Sequence, residues 1–229
     1  MGLELHLHKL SAYSWKVLIA LYENGTAFEP VVVDLADAQG RPRYLALSPF
    51  GKVPALRDHD RGVALFESTV MVEHVDRAHP GPTRLIPEDP EAAREVRLMD
   101  RIFDLYVCGV MHRIVGDRVR PAADRDPFGV AQARAELQRA YGVLEARLAG
   151  RTWAAGETFS LADCAAAPAL FYADLVEPIG EGHPVLSAYL GRLRERPSVR
   201  RVIDEARPCF HTYPTTPEER ARLAHMGLA

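Results

Sequence analysis

The segment Ser11-Ala12-Tyr13-Ser14-Trp15-Lys16 sets two hydroxyls three residues apart, in front of a run with helical spacing. A serine at a helix start meets free N–H groups and the positive end of the helix dipole. Its hydroxyl can cap the helix by accepting from those groups. It can also donate to a thiolate that a ligand brings, lowering the thiol pKa from about 8.5 and raising the supply of nucleophile at neutral pH. A second group, Ser48-Pro-Phe-Gly-Lys-Val-Pro54, opens a strand with a Val-Pro bond, a place where the donor that proline lacks is tolerated. This is either a plain turn before an edge strand or, with the bond cis, a device that turns the Val53 backbone outward to pair with an extended peptide. A third group, Phe66-Glu67-Ser68, stands at a strand-to-helix junction. A serine hydroxyl and free amides there form a nest for a carboxylate, and Glu67 beside them suits an ammonium group, so that together they fit an α-amino acid. The competing reading is a simple N-cap. Cys108, Cys164 and Cys209 lie far apart with no paired spacing, so neither a disulfide framework nor a thiolate metal site is expected.

These groups need elements to hold them. Leu3 to His8 alternates as a half-buried strand, Ala12 to Asn24 carries apolar residues at helical spacing up to Gly25, and Phe28 to Val33 is a β-branched run. That is strand, helix, strand in the size of a βαβ unit. A short helix is predicted over Pro42 to Leu47. Val53 to Arg57 and Val63 to Phe66 flank a turn-rich connection as a hairpin, and Ser68 to Ala78 is helical. The order βαβ, α, ββα is that of a thioredoxin-like α/β domain. In that fold a redox pair of cysteines would occupy Ser11 and Ser14, so disulfide exchange is chemically closed to this site.

The rest of the chain reads as helical. Pro90 to Arg120 shows one sustained apolar stripe, and further helices are predicted at Phe128 to Leu148, Ser160 to Val176, Pro184 to Glu195 and Ser198 to Ala206. The proline-rich stretch His79 to Pro90 cannot carry a helix through. The predicted domains are therefore residues 1–80, a linker over 81–89, an all-helical unit over 90–206 and a proline-broken tail over 207–229. With 48% hydrophobic and 26% charged residues and a net charge of −3, the chain is an ordinary globular protein rather than a nucleic-acid binder. No signal-like start or membrane-length apolar run is present, so a reducing, cytoplasmic setting is expected.

The strings SAYSWKVLIAL, SPFGKVPAL and LFESTVMVEHV, in that order and spacing, resemble the first domain of cytosolic glutathione S-transferases, and AGETFSLAD over Ala155 to Asp163 looks like the capping box and hydrophobic staple of that family's helical domain. The resemblance, to bacterial-type members and the serine-type classes (phi-, zeta- and tau-like), covers the chain to about Ala206. It implies that Ser11 activates the glutathione thiol, that Val53 and the cis-proline Pro54 clamp the cysteinyl part, and that Glu67 and Ser68 hold the γ-glutamyl end. It also implies that Lys52 and Gln39 lie near the glycine carboxylate. The zeta-like isomerases have Ser-Ser-Cys where this chain has Ser11-Ala12-Tyr13, and the cysteine-type classes have a cysteine at the active position. An apolar electrophile is expected between the first-strand loop and the long helix, with Tyr13, Phe103, Tyr106, Val110 and His112 as candidates and Phe210 and Tyr213 as a lid. The expected activity is transfer of glutathione to a small hydrophobic electrophile by a homodimer, with no cofactor besides glutathione as co-substrate. A glutathione-dependent isomerase or dehalogenase and a non-catalytic binding or assembly module are the alternatives.

Overall fold

The computed structural model describes residues 2–34 and 37–228. Strands β1 (Leu3–Leu7), β2 (Phe28–Val32), β3 (Ala55–Asp58) and β4 (Val63–Phe66) form one mixed sheet in the order β2-β1-β3-β4, in which only β1 and β2 run parallel. The alternation in β1 does what period two requires: Leu3, Leu5 and Leu7 are buried while Glu4 and His6 point outward. Helix α1 (Ala12–Glu23) connects β1 to β2 and is buried on nearly every side from Ala12 to Leu21. A short α2 (Arg41–Leu45) precedes β3, and α3 (Ser68–Ala78) follows β4. This is the expected thioredoxin-like unit.

The remaining helices are α4 (Pro90–Ile102), α5 (Gly109–Arg118), α6 (Pro127–Leu148), α7 (Leu161–Val176), α8 (Pro184–Glu195) and α9 (Pro197–Ala206). Their starts follow from the sequence. Asp89 accepts from Ala92 N and Asp126 from Gly129 N, both at 2.8 Å, with Pro90 and Pro127 at the first helical position where no donor is needed. At α7 the capping box is present. Asp163 takes the Ser160 backbone N–H (2.9 Å) and the Ser160 hydroxyl (3.0 Å), and its other oxygen takes Ala154 N (2.8 Å) and the Tyr189 hydroxyl (2.7 Å). One buried carboxylate thus closes a helix start, a loop and a contact to α8.

Two expectations are revised. The long helix predicted from Pro90 to Arg120 contains a π-helical segment, Phe103–Cys108, between α4 and α5. Its wider turns rotate later side chains off a 3.6-residue stripe, so Phe103 and Val107 point into the core while Tyr106, read on the same stripe, is 61% exposed. The tail from Arg207 is structured as well. A 3₁₀ turn (Arg207–Thr212) leads to α10 (Pro217–His225), whose Thr216–Glu219 capping box starts it and whose Leu223 is buried. Glu219 also meets Arg118 of α5 in a two-pronged ion pair, 2.6 Å on each side.

A single apolar core runs through both halves. Trp15 of α1 is 1% exposed and packs 5.1 Å from the rings of Phe171 and Tyr172 in α7. Phe210 closes the same aromatic group.

Candidate active site

A cleft of about 360 Å³ opens between the end of β4, the start of α3, the loop before β3 and the first turn of α1 on one side, and the junction of α4 with the π-helical segment on the other. Its walls bring together Tyr13, Lys52, Val53, Pro54, Glu67 and Ser68. The Val53–Pro54 bond is cis. Because β3 starts only at Ala55, the Val53 backbone lies outside the sheet's pairing. Lys52 is exposed and forms no ion pair among the described residues, while its carbonyl accepts from Tyr44 Oη (2.7 Å) and Ser48 Oγ (2.8 Å), which pin the loop.

Glu67 has φ 81° and ψ 109°, the only non-glycine left-handed residue among those described. Such a backbone costs on the order of 1–3 kcal/mol and clusters at functional sites. Glu67 takes the N-cap position of α3 but makes no side-chain cap, so Ser68 is the first helical residue rather than the cap. Ser68 is 5% exposed, and no hydrogen bond among the described residues engages its hydroxyl. A strained turn therefore aims free amides, an unused hydroxyl and a free carboxylate into one cleft.

Beside Ser68, Thr69 joins a buried ionic group. Lys16, 1% exposed, reaches Asp100 Oδ1 at 2.5 Å, Asp104 Oδ2 at 2.8 Å and Thr69 Oγ1 at 2.8 Å. Arg101 binds both acids and Thr69, which leaves the four charges balanced. Arg101 and Asp104 also line the cleft, so this group fixes α3 against α4 where the site is built.

Ser11 is the N-cap of α1, and its Oγ accepts from Ser14 N at 3.2 Å. A hydroxyl has two lone pairs and one proton, so capping leaves the proton free to donate. Ser14 is fully buried and accepts from His8 N at 3.4 Å, which turns it away from any ligand. Tyr13 donates to the Asp104 carbonyl at 3.4 Å, and burial, with Cys108 and Asp104 nearby, pushes its phenol far up, so it cannot supply a charge near neutral pH. Burial likewise pushes the Cys108 thiol up to about 12, aided by Asp104.

Family models described as the N-terminal and C-terminal domains of glutathione S-transferase match residues 5–83 and 127–192. Glutathione S-transferase F10 of Arabidopsis thaliana is 30% identical over 203 residues, covering 84% of this chain and 93% of that protein. The chain belongs to the glutathione S-transferase family. FtsZ-localized protein A of Caulobacter vibrioides is 29% identical over 212 residues, 89% of this chain and 92% of that protein. A Methylobacillus flagellatus glutathione S-transferase, solved with glutathione bound, superposes with a TM-score of 0.79 at 27% identity, covering 88% of this chain and 98% of that one.

Not every residue expected at a glutathione S-transferase site reaches the cleft. Gln39 lies on an exposed turn before α2, its N–H on Asp37 Oδ1 (2.9 Å), and is no part of the lining. Ser11 itself is not among the lining residues, although Tyr13, two residues on, is. Phe103 is fully buried and stacks 6.4 Å from Tyr189, so it is core and not pocket. Tyr106 faces outward for the reason given by the π-helical segment. Val110 is core at 6% exposure. His112 stacks on Tyr13 at 5.6 Å with its Nδ1 3.7 Å from Cys108 Sγ, and burial of that face holds its pKa below the ordinary value. Phe210 and Tyr213 belong to the aromatic core with Tyr172 rather than to a lid. Sequence reasoning missed Arg101, Asp104 and Leu105 in the lining. They sit in and beside the π-helical segment, whose altered pitch has no sequence signal.

Among the described residues, no helix is long and apolar enough to cross a membrane.

Proposed function

We propose that the chain is a glutathione transferase of the serine type, and that the cleft holds glutathione extended along it. The γ-glutamyl carboxylate sits on the Ser68 hydroxyl and the amides at the start of α3, with its ammonium group on Glu67. The cysteinyl backbone pairs with Val53, and Lys52 takes the glycine carboxylate. The thiol then lies at the N-terminus of α1, where the Ser11 proton and the helix dipole stabilise its ionised form. The thiolate attacks a small apolar electrophile seated beside Tyr13, on which His112 stacks, and the rate gain comes from more thiolate and from proximity. The observation that carries the reading is Glu67: a left-handed residue heading a helix, with its carboxylate and the following hydroxyl both unengaged, facing Val53 and Lys52 across one cleft.

A homodimer is part of the proposal. Phe50 (73% exposed) and Phe66 (39%), both in the wall of the cleft, meet edge to face at 5.9 Å, Leu105 (56%) lines the same cleft from the helical side, and Tyr106 (61%) next to it is exposed as well. The likeness to FtsZ-localized protein A favours a second reading, in which the same scaffold serves assembly. Calorimetric titration with glutathione, followed by turnover of aryl halides, α-halo acids and cis-dienoates, decides. Absence of glutathione binding sinks the proposal, while binding without turnover of any electrophile favours the assembly reading.

A further inference from the structure

Asp58 ends β3 with a carboxylate that is 1% exposed and whose oxygens have separate partners. Oδ1 accepts the backbone N–H groups of Asp60 (3.2 Å) and Arg61 (3.1 Å), which shapes the β3–β4 turn and fixes the plane of the carboxylate. Two imidazoles converge on Oδ2: His74 Nε2 at 2.9 Å from within α3, and His79 Nε2 at 2.7 Å from the residue that ends that helix. All three donor atoms lie within 4.8 Å of one another. The side chains of His74 and His79 are 17% and 21% exposed, enough for an ion and water to enter.

We propose that Asp58, His74 and His79 form a binding site for a divalent transition metal of the zinc class, through one carboxylate oxygen and two imidazole nitrogens with water completing the shell. The donor set selects the metal. Two neutral nitrogens and one oxygen suit zinc, cobalt or nickel, whereas calcium and magnesium want an oxygen cage. Tetrahedral ligands at about 2.0–2.2 Å from an ion stand about 3.3 Å apart, so each imidazole withdraws from Oδ2 by roughly half an ångström. The Nε2 proton moves to Nδ1 or, from a cationic ring, to water, and the freed lone pair binds the ion. The two amides on Oδ1 serve as the outer partners that orient a metal-binding carboxylate, and the carbonyl end of α3 adds negative potential. One cation competes: Arg61 Nη1 lies 3.9 Å from Oδ2, but its side chain is 45% exposed and its Nη2 is held by the Ala78 carbonyl (2.8 Å). The nearby Glu4 offers a contrast, since it meets His6 and His59 through different oxygens and gives no common point.

The site lies toward the C-terminal end of α3, about 9 Å (His74) to 16 Å (His79) along the helix from Ser68 at 1.5 Å of rise per residue. A bound ion therefore straps β3, its turn and the end of α3, and leaves the cleft alone. The test titrates tag-free protein with CoCl₂, followed by visible d–d absorption and then displacement by Zn²⁺. The expected result is one Co²⁺ per chain and a higher unfolding temperature with the ion. His79→Gln keeps a donor for Oδ2, so the fold is not at stake, and should weaken Co²⁺ at least tenfold, as should His74→Gln, with glutathione binding unchanged. No saturable absorption in the wild-type protein, unaltered affinity in both variants, or loss of binding in His6→Gln instead would overturn the proposal.

Discussion

At the scale of the residue, the serines separate by what their hydroxyls already do. Ser68 has an unengaged hydroxyl at the start of α3 and, in the proposed complex, touches a part of glutathione whose charge does not change in the reaction. Ser68→Ala should therefore raise KM for glutathione and leave kcat near its wild-type value in steady-state assays. A fall in kcat at constant KM would remove Ser68 from the assigned role. Ser11 accepts a capping hydrogen bond and keeps its proton, so Ser11→Ala should show two losses at once. Unfolding experiments should find about 1 kcal/mol less stability. Thiolate absorbance against pH should find the bound glutathione pKa rising toward that of free thiol, at roughly 1.4 kcal/mol per unit, with activity partly recovered in alkali. A destabilised variant with an unaltered thiol pKa would leave Ser11 as a cap only. Glu67, Ser68, Val53 and Lys52 were legible as a group because turn, strand start and helix start are local events with local chemistry. Phe103 and Gln39 were not, since whether a side chain on a long helix or an irregular loop reaches a cleft depends on distant packing that leaves no local pattern.

At the scale of the element, the sheet and its crossover helix could be read because burial imposes a period of two on β1 and near-complete apolarity on α1. The π-helical segment could not. Its residues, FDLYVC, satisfy a 3.6-residue stripe as well as a wider one, and the choice is made by what packs against them. Lys16 shows the same limit: nothing local marks this lysine of α1 as buried, and it is 1% exposed. Its charge balances Asp100 and Asp104 together with Arg101. Lys16→Met should therefore cost about 3 to 5 kcal/mol by leaving an uncompensated buried carboxylate, measured by urea unfolding. Lysine→Met keeps the apolar volume, so a loss below about 1 kcal/mol would mean that Asp104, whose carboxyl burial pushes up, takes a proton in the variant while Arg101 balances Asp100.

At the scale of the whole molecule, the exposed aromatics by the cleft predict that light scattering at micromolar concentration gives about twice 25.4 kDa, and that Phe50→Asp shifts the mass toward the single chain. A wild-type mass of 25.4 kDa would end the dimer reading. The linker from His79 to Pro90 separates two topologies, yet the core does not divide there, because Trp15 from the first is held by Phe171 and Tyr172 from the second. That contact has an optical consequence. The chain has two tryptophans, and Trp15 is the one sealed from water while Trp153 is only partly covered. Emission from Trp15 should be blue-shifted and shielded from aqueous quenchers only while the two halves are docked. In Trp153→Phe protein, a single fluorescence trace through a urea titration thus reports their separation, and its coincidence with loss of helical circular dichroism would mean that neither half persists as a folded body without the other.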